Sequence, residues 1–254
     1  MTMLNVIFKE THHFHHDKKE TGMKIVEALN LTKSYEMGGE TVNAIQSVDF
    51  VINSGAFVSF VGPSGSGKST LLNMIGCLDK PTKGSLKVDG VDISTLNRQQ
   101  AAKFRGETIG FIFQDFNLIP VLTVAENIEY PLLMVQNWPT NERQQRVKTL
   151  MEAVGIGDQA NKFPHQLSGG QKQRVAVARA LASKAKLILA DEPTANLDHD
   201  TAFRIIDLMK AMRDEFDTTF IFSTHDTKIM DSAESLFTLE DGKLSQKIQG
   251  GQTK

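Results

Sequence analysis

The stretch "GPSGSGKST", from Gly62 to Thr70, decides the fold. It follows the apolar run "FVSFV" and precedes "LLNMIGCL", in which apolar side chains recur at helical spacing. A glycine-rich loop between a strand and a helix lets backbone N–H groups approach an anion, which the positive end of the helix attracts. We therefore predict a loop that binds the phosphates of a nucleotide. Its predicted binding residues are Gly62, Pro63, Ser64, Gly65, Ser66, Gly67, Lys68, Ser69 and Thr70.

Two side chains of this loop favour a nucleotide that carries Mg²⁺. The Lys68 ammonium adds a positive charge near the β and γ phosphates, and the Ser69 hydroxyl is a ligand that Mg²⁺ accepts. A chance match to the pattern would seldom fall between a strand and a helix, so the position of the loop supports this interpretation.

Short apolar runs alternate with helical patterns along the chain. The runs "KLILADEP" and "TTFIFSTHD" are typical of buried strands, while "QKQRVAVARALASKA" and "TAFRIIDLMKAMRDEF" are typical of helices. This alternation predicts an α/β fold with a mostly parallel sheet. We also expect an inserted helical segment at about 97–165 and a terminal hairpin around Asp241 and Gly242. One face of the second helix carries Phe203, Ile206, Met209 and Met212.

Two acidic residues, Asp191 and Glu192, end the strand "KLILADE". Parallel sheets place their chemistry at the carboxyl ends of strands, where a carboxylate can hold the water shell of Mg²⁺. Glu192 is then placed to orient or deprotonate a water that attacks the γ phosphate. The alternative is a helix N-cap followed by an acid, because "DEPTANLD" resembles the start of a helix. That alternative would be favoured for an isolated pair, but the upstream phosphate loop favours the catalytic interpretation.

Gln114 and His225 also follow predicted strands, "IGFIF" and "IFST". Each has the polarity to contact Mg²⁺, the attacking water or the γ phosphate. Either residue alone is more typical of an ordinary surface position, and only the set of strand-end residues favours a site. The predicted catalytic residues are Lys68, Gln114, Glu192 and His225. The predicted metal ligands are Ser69, Gln114 and Asp191.

The composition limits the other functions. A formal net charge of −2 gives no long-range attraction to nucleic acid, which we do not expect as a partner. The single cysteine, Cys77, excludes an internal disulfide and is expected in the core of a cytosolic protein. No window of 18 apolar residues occurs, so the chain is not expected to span a membrane.

The first 22 residues differ from the rest. They carry four of the seven histidines, which suggests a metal site, but so polar a tract has little to bury. We expect a poorly ordered extension at 1–22, a folded domain at 23–247 and a tail at 248–254. The clustered histidines are His12, His13, His15 and His16.

A second glycine-rich run, "LSGGQKQR", begins at Leu167, and its Ser168, Gly169 and Gly170 precede a helix as a second anion-facing helix start. With "GPSGSGKST", "FQDFNL", "LILADEPTANLD" and "STHD" in this order, residues 24–246 resemble the nucleotide-binding subunits of ABC transporters. The segment "YEMGGETVNAI" resembles the macrolide-exporter and lipoprotein-release group (MacB-like and LolD-like), and other segments also fit peptide-antibiotic resistance ATPases.

This resemblance implies a P-loop NTPase (RecA-like) core with an antiparallel β subdomain and an inserted α-helical subdomain. It also implies ATP as substrate, with Tyr35 stacking on adenine unless it is a core tyrosine. Gln114 would couple the site to the helical subdomain, and 196–198 would cross to a second subunit. In the implied homodimer, one subunit's second glycine run would cap the ATP held by its partner. The residues of that run that would contact ATP are Ser168, Gly169, Gly170 and Gln171.

The resemblance further implies an integral-membrane permease as a separate partner. The permease would dock near Gln114 and the loop to Pro120, which places the chain in the cytoplasm at the inner face of the membrane. Export, lipoprotein release or resistance to antimicrobial peptides would be the process driven. Two alternatives are a soluble ABC ATPase that acts on a non-membrane macromolecule and a small-molecule phosphotransferase. The "LSGGQ" run argues against the phosphotransferase.

Overall fold

The computed structural model describes residues 22–248. Within that range the strands are β1 (Lys24–Met37), β2 (Glu40–Asn53), β3 (Phe57–Val61), β4 (Lys83–Val88), β5 (Val91–Asp92), β6 (Ile109–Ile112), β7 (Leu187–Ala190), β8 (Thr219–Thr224), β9 (Ser235–Glu240) and β10 (Lys243–Ile248). The α-helices are α1 (Lys68–Ile75), α2 (Arg98–Thr108), α3 (Val124–Met134), α4 (Thr140–Ala153), α5 (Gly169–Leu181), α6 (His199–Phe216) and α7 (Thr227–Met230).

A six-stranded sheet forms the centre of the molecule. Its order is β10-β9-β3-β8-β7-β6, and every neighbouring pair is parallel except β10 with β9. The antiparallel pair is the predicted hairpin, with Asp241 and Gly242 at its turn. The predicted mostly parallel sheet is therefore confirmed, and all of its strands except β10 end at the same edge.

A second sheet, ordered β2-β1-β4-β5, is antiparallel throughout. Its longest pair, β1 with β2, is joined by Gly38 and Gly39, whose φ angles are +61° and +88°. Glycine adopts these positive angles without a steric penalty, so the tight turn forms easily. This sheet is the antiparallel β subdomain that the resemblance implies.

Both faces of the central sheet are covered. Phe57, Phe220 and Phe222 pack with residues of α5 and α6, whereas Phe60 and Ile221 belong to a separate apolar cluster that includes residues of α1. The two sets alternate along the strands because successive side chains point to opposite faces. Apolar side chains are therefore needed on both faces of these strands, as in other parallel sheets.

The predicted apolar face of α6 is confirmed in part. Phe203 is only half-buried, and its ring packs edge-on against His199 at 4.8 Å between centroids. The fully packed face is rotated slightly from the predicted one. It consists of Ala202, Ile205, Ile206, Met209 and Met212.

The predicted helical segment at 97–165 contains one strand of the central sheet. Residues 109–112 form β6, which pairs in parallel with β7. A Cβ atom on Gly110 would lie 2.2 Å from the carbonyl oxygen of Ala180 in α5, so the strand depends on this close approach. This is the strand that the run "IGFIF" predicts, and it interrupts the helical segment because it belongs to the central sheet.

The other predictions outside the site concern Cys77 and the two termini. Cys77 is buried as predicted, and burial raises the pKa of its thiol to about 11. The predicted extension with its histidine cluster and the predicted tail lie outside the described residues, apart from Gly22 and Ile248 at their edges. Among residues 22–248, none of the helices is long and apolar enough to cross a bilayer.

Candidate nucleotide-binding site

The phosphate loop joins the end of β3 to α1, as the sequence predicts. Two of its glycines have no room for a side chain. A Cβ atom on Gly62 would lie 2.1 Å from the carbonyl oxygen of Leu239. One on Gly67, where φ is +105°, would lie 2.4 Å from the carbonyl oxygen of Ala44. The loop is therefore held between the two sheets on a path that only glycine allows at these positions.

The Lys68 side chain is folded back inside the loop. It is 7% exposed, and its Nζ donates to the carbonyl oxygens of Gly62 at 2.8 Å and Pro63 at 3.0 Å. Its Nζ also lies 3.9 Å from Oε1 of Glu192. The positive charge of Lys68 is thus fixed between the loop backbone and an acidic residue at a neighbouring strand end.

The two acids after β7 are held by a serine of β8. The Ser223 hydroxyl donates to Oδ1 of Asp191 at 2.6 Å and accepts from the Glu192 N–H at 2.9 Å. Ser223 is fully buried. Sequence reasoning missed this residue, although a hydroxyl near the end of the neighbouring parallel strand was an available signal.

The N-cap interpretation of Asp191 is wrong. Helix α6 begins at His199, and its N-cap is Asp198, whose carboxylate accepts from the Thr201 N–H at 3.0 Å. Asp191 therefore has no capping role at that helix, and Glu192 lies in the left-handed region at φ +48°.

Residues from four strand ends meet around one pocket of about 400 Å³. The phosphate loop lines it from Ser64 to Thr70 except at Ser66, together with Ala44 and the predicted residues Gln114, Glu192 and His225. Nδ1 of His225 lies 3.0 Å from Oε2 of Glu192. The predicted site residues that do not line this pocket are Tyr35, Gly62, Pro63, Ser66, Asp191, Ser168, Gly169, Gly170 and Gln171.

The second glycine run starts α5 with a capping box. The Ser168 hydroxyl accepts from the Gln171 N–H at 3.3 Å, and Oε1 of Gln171 accepts from the Ser168 N–H at 2.9 Å. Two N–H groups of this helix start are thus satisfied within the chain. Ser168 is exposed, so the run is open to contact from outside.

A short loop after β7 contacts the segment that follows β6. Nδ2 of Asn196 donates to the carbonyl oxygen of Gln114 at 3.0 Å and to Oδ1 of Asp115 at 2.9 Å. Asp115 is a contact that sequence reasoning missed, and no local signal in the sequence indicates it. The predicted subunit-crossing loop at 196–198 is therefore linked to the backbone of a pocket residue.

The predicted metal ligands fit Mg²⁺ by their chemistry. Ser69, Gln114 and Asp191 offer hydroxyl, amide and carboxylate oxygens, which Mg²⁺ prefers. The first two line the pocket, and Asp191 directly precedes a third lining residue. Within residues 22–248, no three His, Cys, Asp or Glu side chains converge as a metal site. Oxygen ligands beside a phosphate loop suit a cation that phosphates and water also bind.

Tyr35 lies beside the pocket on β1. Its ring is half-buried, and its hydroxyl donates to Oδ2 of Asp79 at 2.8 Å. Its hydroxyl also contacts the side chain of Thr70, which lines the pocket. Tyr35 is thus a partly accessible neighbour of the phosphate loop and not a fully buried core residue. Its stacking on adenine stays a prediction.

Comparisons with known proteins identify the family. A family model described as ABC transporter matches residues 45–195. An uncharacterized ABC transporter ATP-binding protein of Thermotoga maritima is 43% identical over 221 residues, which make up 87% of this chain and 94% of that protein. The macrolide export ATP-binding/permease protein MacB of Brucella melitensis is 40% identical over 223 residues, 88% of this chain but only 34% of that protein.

A solved structure gives the same result. It is a dimeric, post-hydrolysis state of the ATP-binding cassette MJ0796 bound to ADP and Pi, from a protein of Methanocaldococcus jannaschii. The TM-score is 0.81 at 43% identity, with 89% of this chain and 99% of that chain covered. These matches confirm the P-loop NTPase fold and the resemblance to MacB-like proteins. The chain therefore belongs to the ABC transporter family, among its ATP-binding proteins.

Proposed function

We propose that two copies of this chain bind two ATP molecules between them and hydrolyse them to drive a separate membrane permease. The observation that carries the proposal is the convergence of the phosphate loop, Gln114, Glu192 and His225 on one pocket. Nucleotide sites of parallel sheets lie at this edge, and the volume suits the phosphates and the metal.

The phosphate loop and Lys68 hold the β and γ phosphates in this proposal. The Lys68 ammonium now bonds two loop carbonyls at 2.8 and 3.0 Å, so a short movement brings it to a phosphate oxygen. Exposed N–H groups of the loop and the start of α1 add further positive potential. Charge stabilisation of this kind is the main catalytic contribution in phosphoryl transfer.

Ser69, Gln114 and Asp191 hold Mg²⁺. When bound, Mg²⁺ neutralises charge on the β and γ phosphates. The Ser223 hydroxyl fixes the Asp191 carboxylate at 2.6 Å, so this carboxylate is pre-oriented before the nucleotide arrives.

Glu192 is the general base for the attacking water, and His225 contacts the γ phosphate. Their side chains are 3.0 Å apart, which supports a shared task. The Glu192 carboxylate takes a proton from water as the water oxygen attacks the γ phosphorus. The bond from the γ phosphorus to the bridging oxygen then breaks, which leaves ADP and phosphate.

The dimer follows from the separation of the two glycine runs. Ser168 to Gln171 do not line the pocket, yet they form a helix start of the kind that binds anions, exposed at Ser168 and partly exposed at the next three residues. A second copy, related by two-fold symmetry, brings this run to the partner's ATP and receives the same contact in return. The dimeric state of the MJ0796 cassette supports this arrangement.

The permease docks on the segment after Gln114 at the inner face of the membrane. Exposed apolar side chains follow this segment, with Val121 77% exposed and Met134 on α3 62% exposed. These side chains are our candidates for the contact with the permease. The MacB relative, which combines ATP-binding and permease parts by name, supports an export-type process.

The test of the proposed function uses Glu192→Gln. This change removes the general base but retains the size of the side chain, so we expect turnover to fall at least about 100-fold while ATP is still bound. The trapped protein elutes as a dimer in size-exclusion chromatography with saturating ATP and as a monomer without nucleotide. A monomer under saturating ATP, or unchanged turnover, contradicts the proposal.

A further inference from the structure

Three side chains form a compact group next to the phosphate loop. Lys33 and Tyr35 are two residues apart on β1 and so point to the same face of the strand. Asp79 follows α1 and reaches both of them. Nζ of Lys33 donates to Oδ1 of Asp79 at 2.6 Å, and the Tyr35 hydroxyl donates to Oδ2 at 2.8 Å. One carboxylate therefore holds both residues.

The group is held by several hydrogen bonds and is partly shielded from solvent. The side chain of Lys33 is only 11% exposed and also donates to the carbonyl oxygen of Lys80 at 2.9 Å. Asp79 accepts a third bond, from the Lys80 N–H at 2.7 Å. Two acceptors thus hold the Lys33 ammonium and three donors hold the Asp79 carboxylate, which restricts the movement of both side chains, because separating the partly buried pair leaves a charge unpaired.

The pKa values of Asp79 and Tyr35 are both shifted in the direction that favours these bonds at neutral pH. Burial alone would raise the pKa of Asp79, but hydrogen bonds from Lys33, Tyr35 and the Lys80 N–H lower it below its usual value. Burial and the bond to Asp79 raise the pKa of Tyr35, while contact with Thr70 acts in the opposite direction. The carboxylate thus stays charged and the phenol stays neutral, which the hydrogen bond requires.

Lys33 also determines which face of the tyrosine ring a ligand can reach. Its ammonium lies 4.7 Å from the ring centroid, over one face. A planar base can therefore stack only on the other face. The hydroxyl end is fixed by Asp79, so the ring has little freedom to turn away from a ligand.

Taking the ATP binding proposed above as given, we propose that Lys33 and Asp79 are positioning residues that hold the Tyr35 ring in place for the adenine base. Neither residue touches the nucleotide. They reduce the conformational freedom that the ring loses on stacking, so they increase affinity for the base without contacting it.

The test is a set of ATPase measurements on Lys33→Met and Asp79→Asn. We expect each change to raise the KM for ATP about three- to tenfold, the scale of one aromatic stacking contact, with kcat changed less than about twofold. Because the effect acts through the ring, Lys33→Met in a Tyr35→Ala background adds no further change in KM. Inhibition by tripolyphosphate, which has no base, stays the same in every variant.

Lys186→Met is the control for the same substitution at a more exposed lysine–aspartate pair, since Lys186 contacts Asp89 at 2.7 Å and neither residue lines the nucleotide pocket. We expect it to leave KM unchanged. The positioning role is overturned if KM stays unchanged in both test variants, if the change persists without the Tyr35 ring, or if tripolyphosphate binding weakens equally. An inactive wild-type protein that binds no ATP instead contradicts the proposed function. Should Asp79→Asn fail to fold, Lys33→Met carries the same test.

Discussion

The two glycine-rich runs of this chain both precede a helix, yet their surroundings differ. The run before α1 is held between the two sheets, lines a pocket and encloses the buried ammonium of Lys68. The run before α5 is exposed at Ser168, satisfies two of its N–H groups by its own capping box and lines no part of that pocket. The first run thus lines the candidate site of its own chain, and we propose that the second contacts the ATP of a second subunit.

The largest expected effect comes from blocking the second run with Ser168→Arg. The long side chain prevents the exposed helix start from approaching the partner's ATP, so turnover falls at least about 100-fold. A single subunit still binds the nucleotide, because its own pocket is intact. Equilibrium binding of a fluorescent ATP analogue and a phosphate-release assay measure the two quantities separately.

Asn97→Arg is the matched control for Ser168→Arg. Asn97 caps α2 through the same kind of reciprocal box, with both bonds to Gln100 at 2.9 Å. If loss of a helix cap alone explained the effect, both variants would lose activity to the same degree. Normal turnover in Ser168→Arg, or equal loss in both, removes the role assigned to the second run.

A smaller effect is expected inside the first site, from Ser223→Ala. This change removes the hydroxyl that orients Asp191 and bonds the Glu192 N–H, so we expect kcat to fall about tenfold. The control is Ser59→Ala on the adjacent strand β3, because Ser59 is equally buried but its hydroxyl has no hydrogen-bond partner among the described residues. Equal activity in the two variants contradicts the orienting role of Ser223.

Local sequence patterns predict much of this fold. The glycine loop between β3 and α1, the apolar strands and the hairpin at Asp241 and Gly242 each follow from a few adjacent residues. Strand β6 is predicted from the run "IGFIF", although the wider pattern at 97–165 is mostly helical. The helix predicted from Thr201 is confirmed as α6, which begins two residues earlier at His199 with Asp198 as its N-cap.

The contacts that tune the site could not be predicted in the same way. Ser223 contacts Asp191 across 32 positions, and Asp79 contacts Tyr35 across 44. Such pairs depend on the order of strands in the sheets and on the path of the loops, which no local pattern specifies. Sequence patterns around each strand end therefore indicate which residues reach the site. The residues that hydrogen-bond to them are identified only from the structure.

The shared site is tested most directly by mixing two inactive variants. Lys68→Ala damages the first run and Ser168→Arg the second, so neither has an intact site alone. In a mixed dimer, the first run of one subunit meets the second run of the other, and one site is complete. We expect an equal mixture to recover about a quarter of wild-type turnover, because half of the randomly paired dimers carry one good site of two. Turnover that stays at the level of the separate variants contradicts the shared site.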